Sequence, residues 1–160
     1  ADDRGHVYFS GQYAGKVQVG STTLTSTGGE DMFLAKATPR GRVLWAISFG
    51  GPGADAGPEL EVDARGNSYL TGLFSATARF GSRTLTADGA RAAFVMKVSP
   101  QGRVRWVVGS EASPFATLGE LSLGGGWVTV LGRFVSEVTL GRFELDGFGE
   151  TDYFLARLPR

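Results

Sequence analysis

Few residues in this chain have the types and spacing that chemistry needs. His6 is the only histidine, and there is no cysteine. A Ser-His-Asp arrangement would have to run through His6. A general base also needs an orienting partner within hydrogen-bond reach. The segment Gly5-His6-Val7 supplies no motif of that kind, so His6 is expected as an exposed turn residue. Zinc requires several His or Cys ligands, and no second one exists to join His6. Asp55, Asp63 and the pair Asp2-Asp3 offer carboxylates. Calcium loops place acidic residues at alternating positions, and these segments lack that spacing. Asp63 reads as a turn residue, and Asp31 and Asp152 as turn or strand-edge residues. Gly28-Gly29, Gly50-Gly51 and Gly124-Gly125-Gly126 invite comparison with phosphate loops. Such loops feed the N-terminus of a helix, and no helical pattern follows any of them. The expectation is a protein with no catalytic residue, no cofactor and no metal.

The elements that would position any site come from an internal repeat, the first thing to look for in a sequence. Gly5-His6-Val7-Tyr8-Phe9-Ser10-Gly11 recurs as Gly66-Asn67-Ser68-Tyr69-Leu70-Thr71-Gly72 and again as Gly126-Trp127-Val128-Thr129-Val130-Leu131-Gly132. The spacings are 61 and 60 residues. Gly20, Gly81 and Gly141 fall in one column, and Leu24, Leu85 and Leu145 in another. Phe33-Leu34-Ala35-Lys36 matches Phe94-Val95-Met96-Lys97 and Phe154-Leu155-Ala156-Arg157. Val43-Leu44-Trp45 matches Val104-Arg105-Trp106. The chain reads as a single repeat domain, 1–160. Its repeats run 5–65, 66–125 and a partial 126–160, about two and a half units, out of phase at both ends.

Each unit reads as four or five short strands. Glu59-Leu60-Glu61-Val62 alternates as a half-buried strand does. The turn Asp63 to Asn67 follows, then strands Ser68 to Gly72, Phe94 to Val98 and Val104 to Val108. A weaker stretch, Ala78 to Thr86, is split by Gly81. No segment keeps apolar residues at helical spacing. Four strands repeated at constant spacing suggest β-propeller blades. A β-trefoil or another repeat barrel is the alternative, though a trefoil would want three whole units.

Shared columns are expected to be scaffold: Trp45 and Trp106; Phe33, Phe94 and Phe154; Tyr13, Phe74 and Phe134. Contacts to a ligand or partner belong where the repeats disagree. Trp127 replaces Asn67 in a turn, Phe115 lies in the irregular loop after Ser110, and Phe148 lies in Asp146-Gly147-Phe148-Gly149-Glu150. Exposed loop aromatics stack on sugars or anchor protein partners. Trp127, Phe115, Phe148 and His6 are therefore the candidate contacts.

Composition narrows the classes. There are 16 basic and 16 acidic residues, for a formal net charge of zero. A nucleic-acid binder would show a basic face. No apolar run approaches the roughly 20 residues of a membrane helix. Glycine is high, at 25 residues of 160, as expected of many tight turns between short strands.

Several motifs together resemble the bacterial SBBP β-propeller repeat. They are Gly-x-x-Tyr-x-Thr-Gly at 66–72, Phe-Gly-Ser-x-Thr-Leu-Thr at 80–86 and Asp-x-Phe-x-Ala-Lys at 31–36. Pro-x-Gly-x-Val-x-Trp at 39–45 and Phe-Gly-Gly at 49–51 complete the set. The resemblance implies an exported or surface-exposed bacterial protein, extracellular or periplasmic, and no activity. The chain departs from the pattern at Ala92, which replaces the Asp of Asp31 and Asp152, and in the loop Gly109-Ser110-Glu111-Ala112-Ser113-Pro114, where the Gly-Gly is lost. The leading functional expectation is a non-catalytic binding or assembly module. It would contact a protein partner, or copies of itself that complete the propeller. A carbohydrate-binding propeller lectin is the alternative. A propeller hydrolase is the weakest reading, because the recurring Glu59 and Glu120 sit in a strand column.

Overall fold

The computed structural model describes residues 1–87, 91–111, 116–141, 143–148 and 150–160. Phe115 lies outside the described residues. The described residues hold fourteen strands and no helix. In the first repeat these are β1 (Val7–Val19), β2 (Thr22–Ala37) and β3 (Val43–Phe49). The sheets take in the strand that precedes the sequence repeats opening at Gly66 and Gly126, so the structural repeats begin one strand earlier; the second holds β4 (Ala56–Val62), β5 (Ser68–Phe74), β6 (Thr77–Phe80), β7 (Arg83–Thr86), β8 (Ala92–Val98) and β9 (Val104–Glu111). In the third they are β10 (Ala116–Gly124), β11 (Trp127–Phe134), β12 (Glu137–Leu140), β13 (Phe143–Asp146) and β14 (Asp152–Pro159).

The second repeat shows the whole unit. Strands β4, β5, β8 and β9 form an antiparallel meander in that order, with the hairpin β6-β7 between its middle strands. The first repeat has the order β1-β2-β3 and the third β10-β11-β14. The described residues close neither a barrel nor a ring. The expected strands all appear, with ends displaced by a few residues.

The hairpins hold a feature that periodicity does not announce. In the first repeat the hairpin is continuous with β1 and β2, bulging between Ala14 and Lys16. In the second and third repeats it breaks away and reaches back to the preceding sheet. Arg79 N–H donates to Gly50 O at 2.7 Å, just past the end of β3. In the next repeat Thr139 and Leu140 of β12 pair with Glu111 and Ser110 of β9. One column makes the bend. Gly15, Ala76 and Ser136 have φ of 69°, 55° and 66°, the left-handed region that favours glycine.

The core lies between sheets. Alternate residues of a strand face opposite ways, and both faces of the second-repeat sheet are covered. Phe94, Met96 and Val98 pack with Met32 and Leu34 of the first repeat. Ala93 and Val95 pack with Val128, Val130 and Phe154 of the third. Strand β8 is accordingly apolar in both registers, as a doubly covered strand must be. Phe74, Phe80 and Phe94 are fully buried, each worth about 1.5–3 kcal/mol of apolar transfer. The tryptophan column behaves as scaffold: Trp45 Nε1–H donates to Pro100 O at 3.0 Å, across the sheet-to-sheet junction.

Candidate functional site

Because the strands run antiparallel, each junction between sheets has two ends. The turns Asp2–His6, Asp63–Asn67 and Ser99–Arg103 gather at one end. The hairpins and the segment 50–55 gather at the other.

At the turn end, Asp2 organises the first repeat. Its carboxylate accepts from the backbone N–H of Arg4 and His6, from the Tyr8 hydroxyl at 3.1 Å and from Lys36 Nζ at 3.3 Å. The His6 ring meets the same carboxylate through Nδ1 at 3.0 Å. His6 is therefore not the freely exposed residue expected: its side chain is half-buried and oriented by Asp2. Its hydrogen bonds among the described residues all go to Asp2. Burial alone would raise the Asp2 carboxyl. The hydrogen bonds from His6, Lys36 and Tyr8 outweigh it and hold the group well below the usual carboxylate range. Burial and the neighbouring Asp2 push the Tyr8 hydroxyl well up.

The second repeat copies the arrangement. Asp63 accepts from Asn67 N–H at 2.8 Å, Asn67 Nδ2 at 2.9 Å and the Tyr69 hydroxyl at 3.3 Å. Tyr69 is pushed up to about 12 by burial and by Asp63. Lys97 lies 5.4 Å from the Tyr69 ring centroid, as Lys36 lies 4.8 Å from that of Tyr8. A polar cleft opens beside each cluster. One, of about 380 Å³, has Asp2, Arg4, Lys36 and Arg65 in its walls. The other, of about 470 Å³, has Asp63, Arg65, Lys97 and Arg160. Sequence reasoning found Asp63 as a turn residue and missed the recurring Asp-Tyr-Lys cluster, which the columns Asp2/Asp63, Tyr8/Tyr69 and Lys36/Lys97 carried.

At the other end lies a pair of buried carboxylates. Asp31 is 2% exposed and Asp55 is fully buried. This corrects the reading of Asp31 as a turn or strand-edge residue: it lies inside β2 with Gly50 and Asp55 against it. Asp55 accepts from Gly51 N–H at 2.7 Å and Ser75 N–H at 3.1 Å. Asp31 Oδ2 accepts from Thr27 N–H, while Oδ1 has no partner among the described residues. A Cβ on Gly50 would lie 2.6 Å from Asp55 Oδ2 and 2.8 Å from Asp31 Oδ1. Only glycine fits between them. Burial pushes both carboxyls up, and Asp55 adds to the effect on Asp31. At the next junction the same two columns are Ala92 and Ala116. The two acids occur together and are absent together.

The third repeat carries the open surface. In the column of Leu34 and Val95, both fully buried, Leu155 is 64% exposed. In the column of Met32 and Ala93, also fully buried, Tyr153 is 69% exposed. Trp127 and Leu131 lie on the same face of that sheet, paired with Pro159 and Leu155 across β11 and β14, and both are exposed. Of the aromatics picked from the sequence, Trp127 thus belongs to a sheet face. Phe148 stands almost free in its loop, at 98% exposure. Nothing in the structure brings Phe148, Trp127 and His6 into one site.

Among the described residues, no group of three or more His, Cys, Asp or Glu is placed to hold a metal. No helix of the described residues is long and apolar enough to cross a membrane. No family model matches the chain, and no curated protein matches it as a relative.

Proposed function

We propose that this chain is a run of propeller blades acting as a non-catalytic assembly module, and that its third-repeat face docks the first-repeat face of a second copy. The supporting observation is the column comparison just given. Positions that are sealed by the following sheet in the first and second repeats lie open in the third. An exposed apolar patch framed by polar residues is a mark of an interaction site. The opposite face supplies a matching surface. Phe9, exposed, and Phe33, half-buried, of the first repeat occupy the columns of Leu70 and Phe94, residues with which the second repeat meets the first. Such a contact is head-to-tail, so it closes a ring or continues as an array. The balanced charge and the repeat's likeness to the SBBP family agree with an exported bacterial assembly module.

Light scattering after size exclusion tests this. The expected result is a mass above that of the 16.9 kDa chain, falling to one chain in the double variant Leu131→Glu/Tyr153→Glu. A monomer at every accessible concentration overturns the reading.

The two polar clefts favour a second reading, a glycan-binding propeller. They recur at successive junctions with an aspartate, an arginine and a lysine in the same columns. Silence on a glycan array removes it. Binding abolished by Lys97→Ala supports it.

A further inference from the structure

The zero net charge conceals a basic end. Arg4, Arg40, Arg42, Arg65 and Arg103 lie on the turns there, all exposed, against Asp2, Asp3 and Asp63. Asp2 and Asp63 are engaged inside their own turns and offer little counter-charge. The polar clefts described above open on this end, one at each junction between repeats. At the first, Pro100 and Gln101 complete the walls. At the second, β4 runs directly into the Asp63 turn that forms a wall. The opening is therefore a property of the junction, present with either flanking element in place.

The two clefts differ in what holds their lysine. In the first, Lys36 is buried and gives its charge to Asp2 Oδ2 at 3.3 Å. In the second, Asn67 stands in the column of His6. Its Nδ2 donates to Asp63 Oδ2 at 2.9 Å, and the Tyr69 hydroxyl donates to the same oxygen at 3.3 Å. Asp63 Oδ1 accepts from the Asn67 N–H. Asp63 is thus satisfied within its turn, and Lys97 has no ion pair or hydrogen bond among the described residues. It lies half-buried over the Tyr69 ring. A cation drawn partly out of water without a counter-charge favours an anion beside it. Arg65 stands in the walls of both clefts, and its guanidinium likewise has no partner among the described residues.

We infer that this end binds an acidic saccharide. One carboxylate or sulfate group of the sugar sits between Arg65 and Lys97, and the chain runs over Arg65 into the neighbouring cleft. A guanidinium holds an oxyanion through two parallel N–H bonds, and lysine adds a point charge. The side-chain amides of Asn67 and Gln101, one in each cleft's walls, suit sugar hydroxyls, which both donate and accept. Nucleic acid fits less well, because single strands bind on exposed aromatic faces. The one aromatic residue in these walls, Tyr69, is fully buried. This rests on the glycan reading above and narrows it to charged sugars.

The test is titration calorimetry of the full chain with an oligogalacturonate, its methyl ester, a heparin oligosaccharide and a single-stranded oligonucleotide. The expected result is micromolar binding of the galacturonate, the heparin fragment or both, weakening as salt rises. The arm that binds names the carboxylate or the sulfate. Affinity should fall about tenfold in Arg65→Ala and in Lys97→Ala, the size of one lost hydrogen bond to a charged group. Arg65 is exposed, so that variant should keep the parent's melting temperature. Equal binding of the neutral methyl ester would overturn the inference and leave the glycan reading standing. Silence of all the saccharides at millimolar concentration would end both. Tighter binding of the oligonucleotide, or acid binding untouched by Arg65→Ala and Lys97→Ala, would also overturn it.

Discussion

Asp2 and the Asp31–Asp55 pair are buried at opposite ends of the same sheet-to-sheet junction, yet their carboxyls shift in opposite directions. Asp2 is surrounded by donors, including a buried lysine 3.3 Å away. Among the described residues Asp31 has one oxygen with no donor, and it faces a second carboxylate across Gly50. Burial penalises the charged form at both ends, and hydrogen bonds to the charged form decide the outcome. The two ends thus treat charge differently: hydrogen bonds favour the charged form at one, and burial disfavours it at the other.

The largest break in this comparison is expected from Asp2→Ala, which leaves Lys36 buried without its ion-pair partner. Removing one member of a buried pair costs about 3 kcal/mol, and urea denaturation of the variant should show a loss of that size. At the other end the two acids should separate. Asp55→Ala strands the N–H groups of Gly51 and Ser75 and is expected to cost about 2 kcal/mol. Asp31→Asn removes a charge that has no partner at Oδ1 and should cost less than about 1 kcal/mol. Equal losses from the two would show that the pair acts as one hydrogen-bonded unit.

The pH dependence sharpens the contrast. For Asp31 and Asp55 the folded value is raised. Their contribution is fully present below the unfolded carboxyl value of about 3.9 and is lost as pH rises through the folded value. For Asp2 the folded value is depressed. Its contribution is present above about 3.9 and is lost as pH falls. Urea midpoints measured from pH 3 to 8 should therefore decline on both flanks. Asp31→Asn should flatten the rising-pH flank, and Asp2→Asn the acid flank. A rising-pH decline that survives in Asp31→Asn would assign it to other groups.

The smallest effect concerns the bend beside Ser75, which donates to Asp55. Ala76 holds a φ of 55°, where an L side chain is strained by roughly 1–2 kcal/mol. Ala76→Gly relieves that strain and gives the unfolded chain more freedom. A net gain near 0.5 kcal/mol is expected, read as a small rise in melting temperature.

The strands and turns were legible in the sequence because local chemistry writes them. Alternation in Glu59–Val62, the Asp63–Asn67 turn and Pro100-Gln101-Gly102 each act within a few residues. The reach-back hairpins were not legible. Their pairing rests on a single bridge at Gly50 and Arg79 and two residue pairs at β12, too few to leave a periodic trace. The buried acids were hidden for a different reason. Asp31 and Asp55 meet through folding, and aspartate next to glycine reads locally as a turn. Their joint replacement by Ala92 and Ala116 was the available signal. Trp127 was picked for differing from Asn67, but its surroundings depend on which sheet face is covered, a long-range property.

The hairpins also give the array a direction. The hairpins of the second and third repeats each clasp the sheet that precedes them. A repeat leaving the ribosome therefore meets a docking strand already in place, and chains fold N-terminal part first during synthesis. Growth at the C-terminal side fastens itself with its own clasp, while growth at the N-terminal side must wait to be fastened. The molecule is built like a ratchet, whose order of assembly is written in which neighbour each hairpin grips.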